Sequence, residues 1–306
     1  MPFQTSPGRH LALDSALPRL PRMVYKTALI SGLRLRNLFS RRIVTGTAGV
    51  AVSMTSYGSR LGIVAHALES IAAGSVLPAR MILWVDEPDF NLSAYPMLRR
   101  LERRGLEILR CEDFGPHKKY FPYCREFADH GLLLALADDD VMYPHRWLEG
   151  LMGASGEEQI PGYRAHRIIT DPSSARVTPY NTWEPASVDS VSHANFLTGV
   201  GGMLLPPRFQ TVLRDAGTSF LELAPRADDI WLNALAIRNG YRRRVVDAAG
   251  QHLTIYPRSQ EQALHNENVS EGKNDTQLAA VFSPADITCI ASDDDAAAAN
   301  DITVTP

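Results

Sequence analysis

Residues 132–144 read LLLALADDDVMYP. Six apolar residues run straight into Asp138, Asp139 and Asp140, and Val141, Met142, Tyr143 and Pro144 follow. A short apolar run closed by polar residues reads as a strand buried on both faces, although LLLALA also has a helix-like composition. Three adjacent carboxylates at a strand end repel one another, and they coexist when a cation neutralises them or water reaches them. Side chains alternate along an extended chain, so Asp138 and Asp140 are expected to project to one side. That spacing offers oxygen ligands to Mg²⁺ or Mn²⁺, with waters and substrate phosphates completing the shell. The plainer alternative is a polar loop with helix-capping aspartates. Asp293, Asp294 and Asp295 repeat the same letters in an alanine-rich stretch with no strand before them, and no role is expected there.

Upstream, the pattern alternates. Val50 to Met54 (VAVSM) reads as a first strand, and Ile63, Val64, Ala67, Leu68 and Ile71 recur at helical spacing. Met81 to Val85 reads as a second buried strand ending at Asp86. Tyr95 to Arg104 looks helical and stops at Gly105, Leu106 to Leu109 looks extended, and a short helix follows Pro122. Strands alternating with helices imply a mostly parallel sheet covered on both faces. Ligands of such sheets sit beyond the strands' carboxyl ends, so Asp86 and the three aspartates are expected to share a crevice.

Downstream, the pattern is more mixed. Tyr163 to Thr170 and Met203 to Leu205 suggest strands, Arg243 to Asp247 is extended, and Asn274 to Phe282 is a short helix. Asp228 to Asn239 is a well-marked helix, with Asp228 as its N-cap and Gly240 just past its end. Carboxylates at Asp228 and Asp229 are favoured by the helix dipole, whether they serve chemistry or only cap the helix. Gly199, Gly201 and Gly202 either let a backbone approach a ligand or make a tight turn. His117-Lys118-Lys119-Tyr120 offers lysines to phosphates, or is a solvated loop.

The ends differ from the core. No acidic residue lies between Asp14 and Glu69, whereas Arg19, Arg22, Lys26, Arg34, Arg36, Arg41, Arg42 and Arg60 do. Within that span, Met23 to Phe39 mixes aliphatics, aromatics and bases. It fits a basic amphipathic segment on an anionic membrane surface, and equally a helix packed on the domain or a partly ordered arm. Gly32 weakens a helix there. The expected division is a basic segment over residues 1–45, a catalytic-type domain over 46–290 and a disordered acidic tail over 291–306.

Charged residues make up 21% and hydrophobic ones 45% of the 306-residue chain, which excludes wholesale disorder. No run approaches the roughly 18 apolar residues of a spanning helix. A net charge of −3 gives no reason to expect nucleic acid as a partner. Cys111, Cys124 and Cys289 form no CxxC pair or zinc spacing, which suits a reducing compartment. The first residues lack the apolar core of a secretory signal. The expectation is a cytoplasmic protein, at the inner face of the membrane if the basic segment docks there.

Together the motifs resemble bacterial glycosyltransferases of the GT-A type, particularly family-2-like enzymes of surface-polysaccharide clusters. The similarity runs in order through VSMTSYGSRL (Val52 to Leu61), ILWVDEPDF (Ile82 to Phe90), GPHKKY (Gly115 to Tyr120) and LADDDVMYP (Leu136 to Pro144). It continues through YRAHRI (Tyr163 to Ile168), FLTGVGGMLLPP (Phe196 to Pro207), ADDIWLNAL (Ala227 to Leu235) and the stretch Asn268 to Asp275. The implied fold is α/β and GT-A-like: a mostly parallel central sheet flanked by helices, with a Rossmann-like nucleotide-binding half and a mixed acceptor half.

The resemblance also implies roles. Asp138 and Asp140 look like the DxD aspartates that hold a divalent metal (Mn²⁺ or Mg²⁺) against a nucleotide-sugar diphosphate, with Asp139 between them. Thr55, Ser56, Tyr57 and Arg60 sit where such enzymes begin their nucleotide pocket. Asp86 matches the acid that contacts base or ribose, Lys118 approaches the nucleotide or its phosphates, and Gly201 and Gly202 belong to the glycine-rich loop. Asp229 looks like the catalytic base; the chain reads Asp-Asp where many relatives read Glu-Asp, so Asp228 shares that assignment. His265, with His252 as the alternative, matches a histidine that completes the metal shell. The partners implied are a nucleotide-sugar donor and a saccharide or lipid-linked acceptor. Trp183, Trp231 and Tyr180 either stack on sugars or belong to the core. Two rivals remain: a non-catalytic nucleotide- or carbohydrate-binding module, and a sugar nucleotidyltransferase, which calls for a more glycine-rich, basic loop than SYGSR.

Overall fold

The computed structural model describes residues 12–13, 19–171, 176–247, 252–257 and 273–302. Four strands form a parallel half-sheet: β1 (Ala48–Thr55), β2 (Pro78–Val85), β3 (Leu106–Arg110) and β4 (Leu133–Ala137). β1 lies between β2 and β4, and β3 extends the edge beyond β2. The runs are apolar at consecutive positions because both faces are covered. Val50, Val52, Met54 and Leu83 pack on one side, and Ala51, Ile82, Trp84 and Leu136 on the other.

The second half is mixed. β5 (Gln159–Gly162), β6 (Val191–Ser192), β7 (Met203–Leu205) and β8 (Arg242–Val245) complete an eight-stranded sheet in the order β6-β8-β5-β7-β4-β1-β2-β3. β7 runs antiparallel to both β4 and β5, whereas β5 and β8 are parallel. The layout is the expected one of a parallel half joined to a mixed half. The strand expected over Tyr163 to Thr170 is instead two short pieces, Ala165–Arg167 and Thr170–Asp171.

Nine helices matter here: α1 (Arg19–Phe39), α2 (Val64–Ala72), α3 (Pro96–Glu102), α4 (Phe121–Phe127), α5 (Trp147–Gly153), α6 (Pro207–Asp215), α7 (Asp228–Arg238), α8 (Lys273–Val281) and α9 (Pro284–Ile302). α1 is continuous through the exposed Gly32. Glycine there costs about 1 kcal/mol of helix propensity, but tertiary anchors outweigh it. Leu33 and Asn37 of α1 are buried, and the Asn37 amide donates to Glu69 Oε1 at 2.8 Å. Glu69 also pairs with Arg104 and with Arg36.

The acidic stretch from residue 291 is a second difference. It continues α9 as far as Ile302 instead of forming the expected tail. Alanine is the strongest helix former, and Ile287 and Ile290 are buried ahead of it. Asp293 accepts from the Ser192 hydroxyl at 2.8 Å and the His193 N–H at 2.6 Å, so it has a structural role that the sequence reading denied it.

Candidate active site

The loop after β4 holds the three aspartates in a turn, not in a continued strand. The turn overrides the expected alternation. Arg60 binds Asp139 Oδ1 at 2.8 Å and Asp140 Oδ2 at 2.9 Å, so those two share one guanidinium. Asp138 has a different cation, with Lys119 Nζ 2.5 Å from its Oδ1. The Ser56 hydroxyl donates to Asp139 at 2.7 Å, which makes Asp139 an internal anchor for the loop after β1. Two backbone contacts fix the turn: the Asp138 N–H meets the Tyr143 hydroxyl at 2.7 Å, and the Tyr256 N–H donates to the Asp140 carbonyl at 2.7 Å.

Lys119 joins this loop to α7. Its Nζ is also 3.6 Å from Asp228 Oδ2. The lysine ends a 3₁₀ turn, Gly115–Lys119, and its carbonyl accepts from the Ser53 hydroxyl at 2.5 Å. His117 pins the same turn inside the core, with its Nε2 2.8 Å from the Ala224 carbonyl and its ring stacked on Phe220. Burial drives the His117 pKa down to about 4, so this bolt is a neutral imidazole.

Asp138, Asp139, Asp140, Asp228 and Asp229 thus cluster around two cations, Arg60 and Lys119. The consequences appear in the acids. Burial raises Asp138 above the usual carboxylate range, and burial with Asp140 alongside pushes Asp139 up to about 6. Asp229 rises to about 7, through the protein packed around it and the adjacent Asp228. That reverses the expectation that the helix start favours its ionised form. The Ile230 N–H does donate to Asp229 Oδ1 at 2.9 Å, but one such bond is outweighed. Asp228 is the first residue of α7, not its cap; Ala227 holds the cap position. Lys119 is held firmly protonated: burial opposes its charge, but Asp138 and Asp228 outweigh burial.

A second group lies at the ends of β1 and β2. Lys118 is fixed between Asp86 Oδ2 at 2.5 Å and Asp113 Oδ1 at 2.9 Å. It therefore orients Asp86 in this structure. Asp86 Oδ1 is buried without a hydrogen-bond partner. An orphaned buried acceptor is costly unless something supplies a donor. The Tyr57 ring stands 43% exposed, and Lys118 Nζ is 5.5 Å from its centroid. The Thr55 hydroxyl is spent on the Trp84 carbonyl.

The glycine-rich loop has a packing explanation. Gly202 has φ +86°, and a Cβ there would sit 2.7 Å from the Leu136 carbonyl and 2.8 Å from the Trp147 ring. The Gly201 carbonyl accepts from the Trp147 indole at 2.7 Å. Trp183 and Trp231 are buried core residues. His265 lies outside the described residues, and His252 opens a short strand, His252–Ile255. Among the described residues, no group of three or more His, Cys, Asp or Glu side chains is arranged to hold a metal ion. Asp138 and Asp140 nevertheless fit one chemically: both are hard oxygen donors in a cluster with more carboxylates than cations, and a divalent ion against phosphates needs only one or two carboxylates.

Lys119 was read from sequence only as one of two lysines that could meet phosphates, with no site role of its own. Its neighbour Lys118 was assigned to the ligand, yet Lys119 makes the central bridge. The signal was the pair of lysines in one tight turn, which must diverge.

No protein-family model and no curated protein matches the chain. Among solved structures, it is similar to the inositol-1-phosphate CTP transferase from T. maritima, at 12% identity and a TM-score of 0.43, over 75% of this chain and 98% of that one. It is similar to the mannosyltransferase PcManGT from Pyrobaculum calidifontis in complex with GDP-Man and Mn²⁺, at 15% identity and a TM-score of 0.45, over 90% of this chain and 86% of that one. It is also similar to GalNAc-T7 with UDP, GalNAc and Mn²⁺, at 10% identity and a TM-score of 0.44, over 83% of this chain and 56% of that one. No residue role is carried over from them.

Proposed function

We propose that this chain is a metal-dependent glycosyltransferase that moves a sugar from a nucleotide-sugar donor to a hydroxyl acceptor with inversion. The observation that carries this reading is the Lys119 bridge, which brings the Asp138 loop and the start of α7 into one acidic cluster. Asp138 and Asp140 would hold Mn²⁺ or Mg²⁺. When bound, the ion offsets charge on the diphosphate as the sugar–phosphate bond breaks. Asp86 Oδ1, lacking a partner, accepts a hydrogen bond from the donor's ribose or base. The exposed Tyr57 ring offers the base a stacking face. Asp229 takes the acceptor hydroxyl's proton. A pKa of about 7 suits that task, because a base is most effective near the working pH. One base and one displacement invert the anomeric centre. The acceptor class is a saccharide or lipid-linked hydroxyl of the surface-polysaccharide kind.

A nucleotidyltransferase is less well supported, because Arg60, the one arginine of the loop after β1, is engaged by Asp139 and Asp140. The test is a panel of nucleotide sugars incubated with the purified chain, with and without Mn²⁺, scoring donor binding and slow hydrolysis. One donor is expected to be bound and hydrolysed only with the metal. Turnover of a nucleoside triphosphate with a sugar phosphate, and none of any nucleotide sugar, would replace this reading with the nucleotidyltransferase.

A further inference from the structure

The helix α1 turns several polar side chains to the domain. Asn37 is fully buried against Glu69, the Arg36 guanidinium donates to the Ala72 carbonyl at 2.7 Å, and Lys26 Nζ donates to the Ile255 carbonyl at 2.9 Å. Leu33 packs inward, but most of the helix's large apolar side chains face outward. Leu20 is 73% exposed, Val24 64%, Leu35 56%, Leu38 55% and Phe39 73%. Leu20, Val24, Ala28, Ser31, Leu35 and Leu38 follow one another at intervals of three or four, so they form a single stripe along the helix. An apolar stripe turned to solvent marks an interaction surface.

The charge beside the stripe selects its occupant. Arg34, Arg41 and Arg42 are exposed, and the chain has no acidic residue from Ser15 to Leu68. Glu69, which meets the helix through Asn37 and Arg36, is fully buried beneath it and paired with Arg104. We propose that the outward face of α1 docks on an anionic bilayer surface, its leucines and Phe39 at the acyl boundary, with Arg34 and the following Arg41 and Arg42 among the headgroups. A second copy of this chain is the poorer match, because face-to-face α1 helices would set arginines against arginines. A helix of this kind lies in the interface without spanning it, and no helix among the described residues is long and apolar enough to cross a membrane.

The docked helix is also tied to the candidate site. Lys26 holds the Ile255 carbonyl, and the next residue, Tyr256, donates its N–H to the Asp140 carbonyl. The inference rests on α1 and the two arginines just after it, and does not depend on the proposed chemistry.

The test uses the full chain and sedimentation with sucrose-loaded vesicles, either pure phosphatidylcholine or one-third phosphatidylglycerol. The chain is expected to pellet with the anionic vesicles at low salt and to be released as salt rises, since surface attraction is screened beyond about 10 Å at 0.1 M. Arg41→Gln with Arg42→Gln should weaken partitioning about fivefold per charge lost. Leu35→Gln, Leu38→Gln and Phe39→Gln together should weaken it at least ~100-fold. Their exposure predicts unchanged thermal melting, which checks that the variants fold. Three results would each overturn the proposal: no pelleting with anionic vesicles, equal pelleting with neutral ones at every salt, or a dimer that the triple variant dissociates while vesicle binding stays absent.

Discussion

Asp229→Asn separates chemistry from folding, because it should damage one and help the other. The change keeps the size of the side chain, and asparagine Oδ1 can still accept the Ile230 N–H that now meets Asp229 at 2.9 Å. Only the ability to take a proton is lost. Transfer should fall by at least the ~10² expected of a missing general base. The wild-type rate should fall about tenfold per unit of pH on the acid side of about 7, and the variant should lack that limb.

Stability should move the other way. The folded carboxyl is raised from 3.8 to about 7, so the native state binds the proton more tightly than the unfolded chain. Its contribution is complete below 3.8 and is lost as pH rises through about 7. A shift of about 3 units corresponds to a ceiling of roughly 4 kcal/mol. Asp229 is only partly buried by surface area and shares its field with Lys119 and Asp228, so about 2 kcal/mol is the working figure. The variant should therefore melt like wild type near pH 4 and roughly 3–4 °C higher at pH 8. Thermal unfolding across pH, with chelator present, measures this. A variant less stable at pH 8, or equally stable at both ends with transfer intact, would refute the assignment of Asp229.

Other outcomes follow from the same geometry. Lys119→Met leaves Asp138 and Asp228 without their shared cation and should destabilise the fold by about 3–5 kcal/mol, read by urea unfolding. Gly202→Ala forces a Cβ against the Leu136 carbonyl and Trp147 at positive φ, and should cost roughly 1–3 kcal/mol in the same assay. Asp86→Asn keeps the side chain's shape but weakens its hold on Lys118; nucleotide affinity should drop about tenfold, with metal affinity unchanged, by calorimetric titration.

The parallel half of the fold was legible because its short runs are apolar at nearly every position, which suits a strand covered on both faces. VAVSM, MILWV and LLLALA each became a central strand. The helix after Asp228 was legible from its apolar run and Gly240. The helices Trp147–Gly153 and Pro207–Asp215 were not anticipated, since their short sequences hold Gly, Pro and mixed polar residues that tertiary packing overrides. The candidate site was legible as a set of residue types but not as a set of contacts. Strand alternation predicted Asp138 and Asp140 on one side; in the turn, Asp139 and Asp140 meet Arg60 and Asp138 meets Lys119. Nothing local to GPHKKY announces that Lys119 meets Asp228, because that meeting is set by the order of strands in the sheet. The raised pKa of Asp229 was equally hidden, for burial there depends on residues remote in sequence.

The most direct measurement of the central claim is calorimetric titration of the donor found in the nucleotide-sugar panel, with Mn²⁺ and with chelator, into wild type, Asp138→Ala and Asp140→Ala. Circular dichroism confirms that each variant is folded. The account predicts binding that requires Mn²⁺ in wild type and is abolished in both variants. Metal-dependent donor binding that survives unchanged in the folded variants would contradict it.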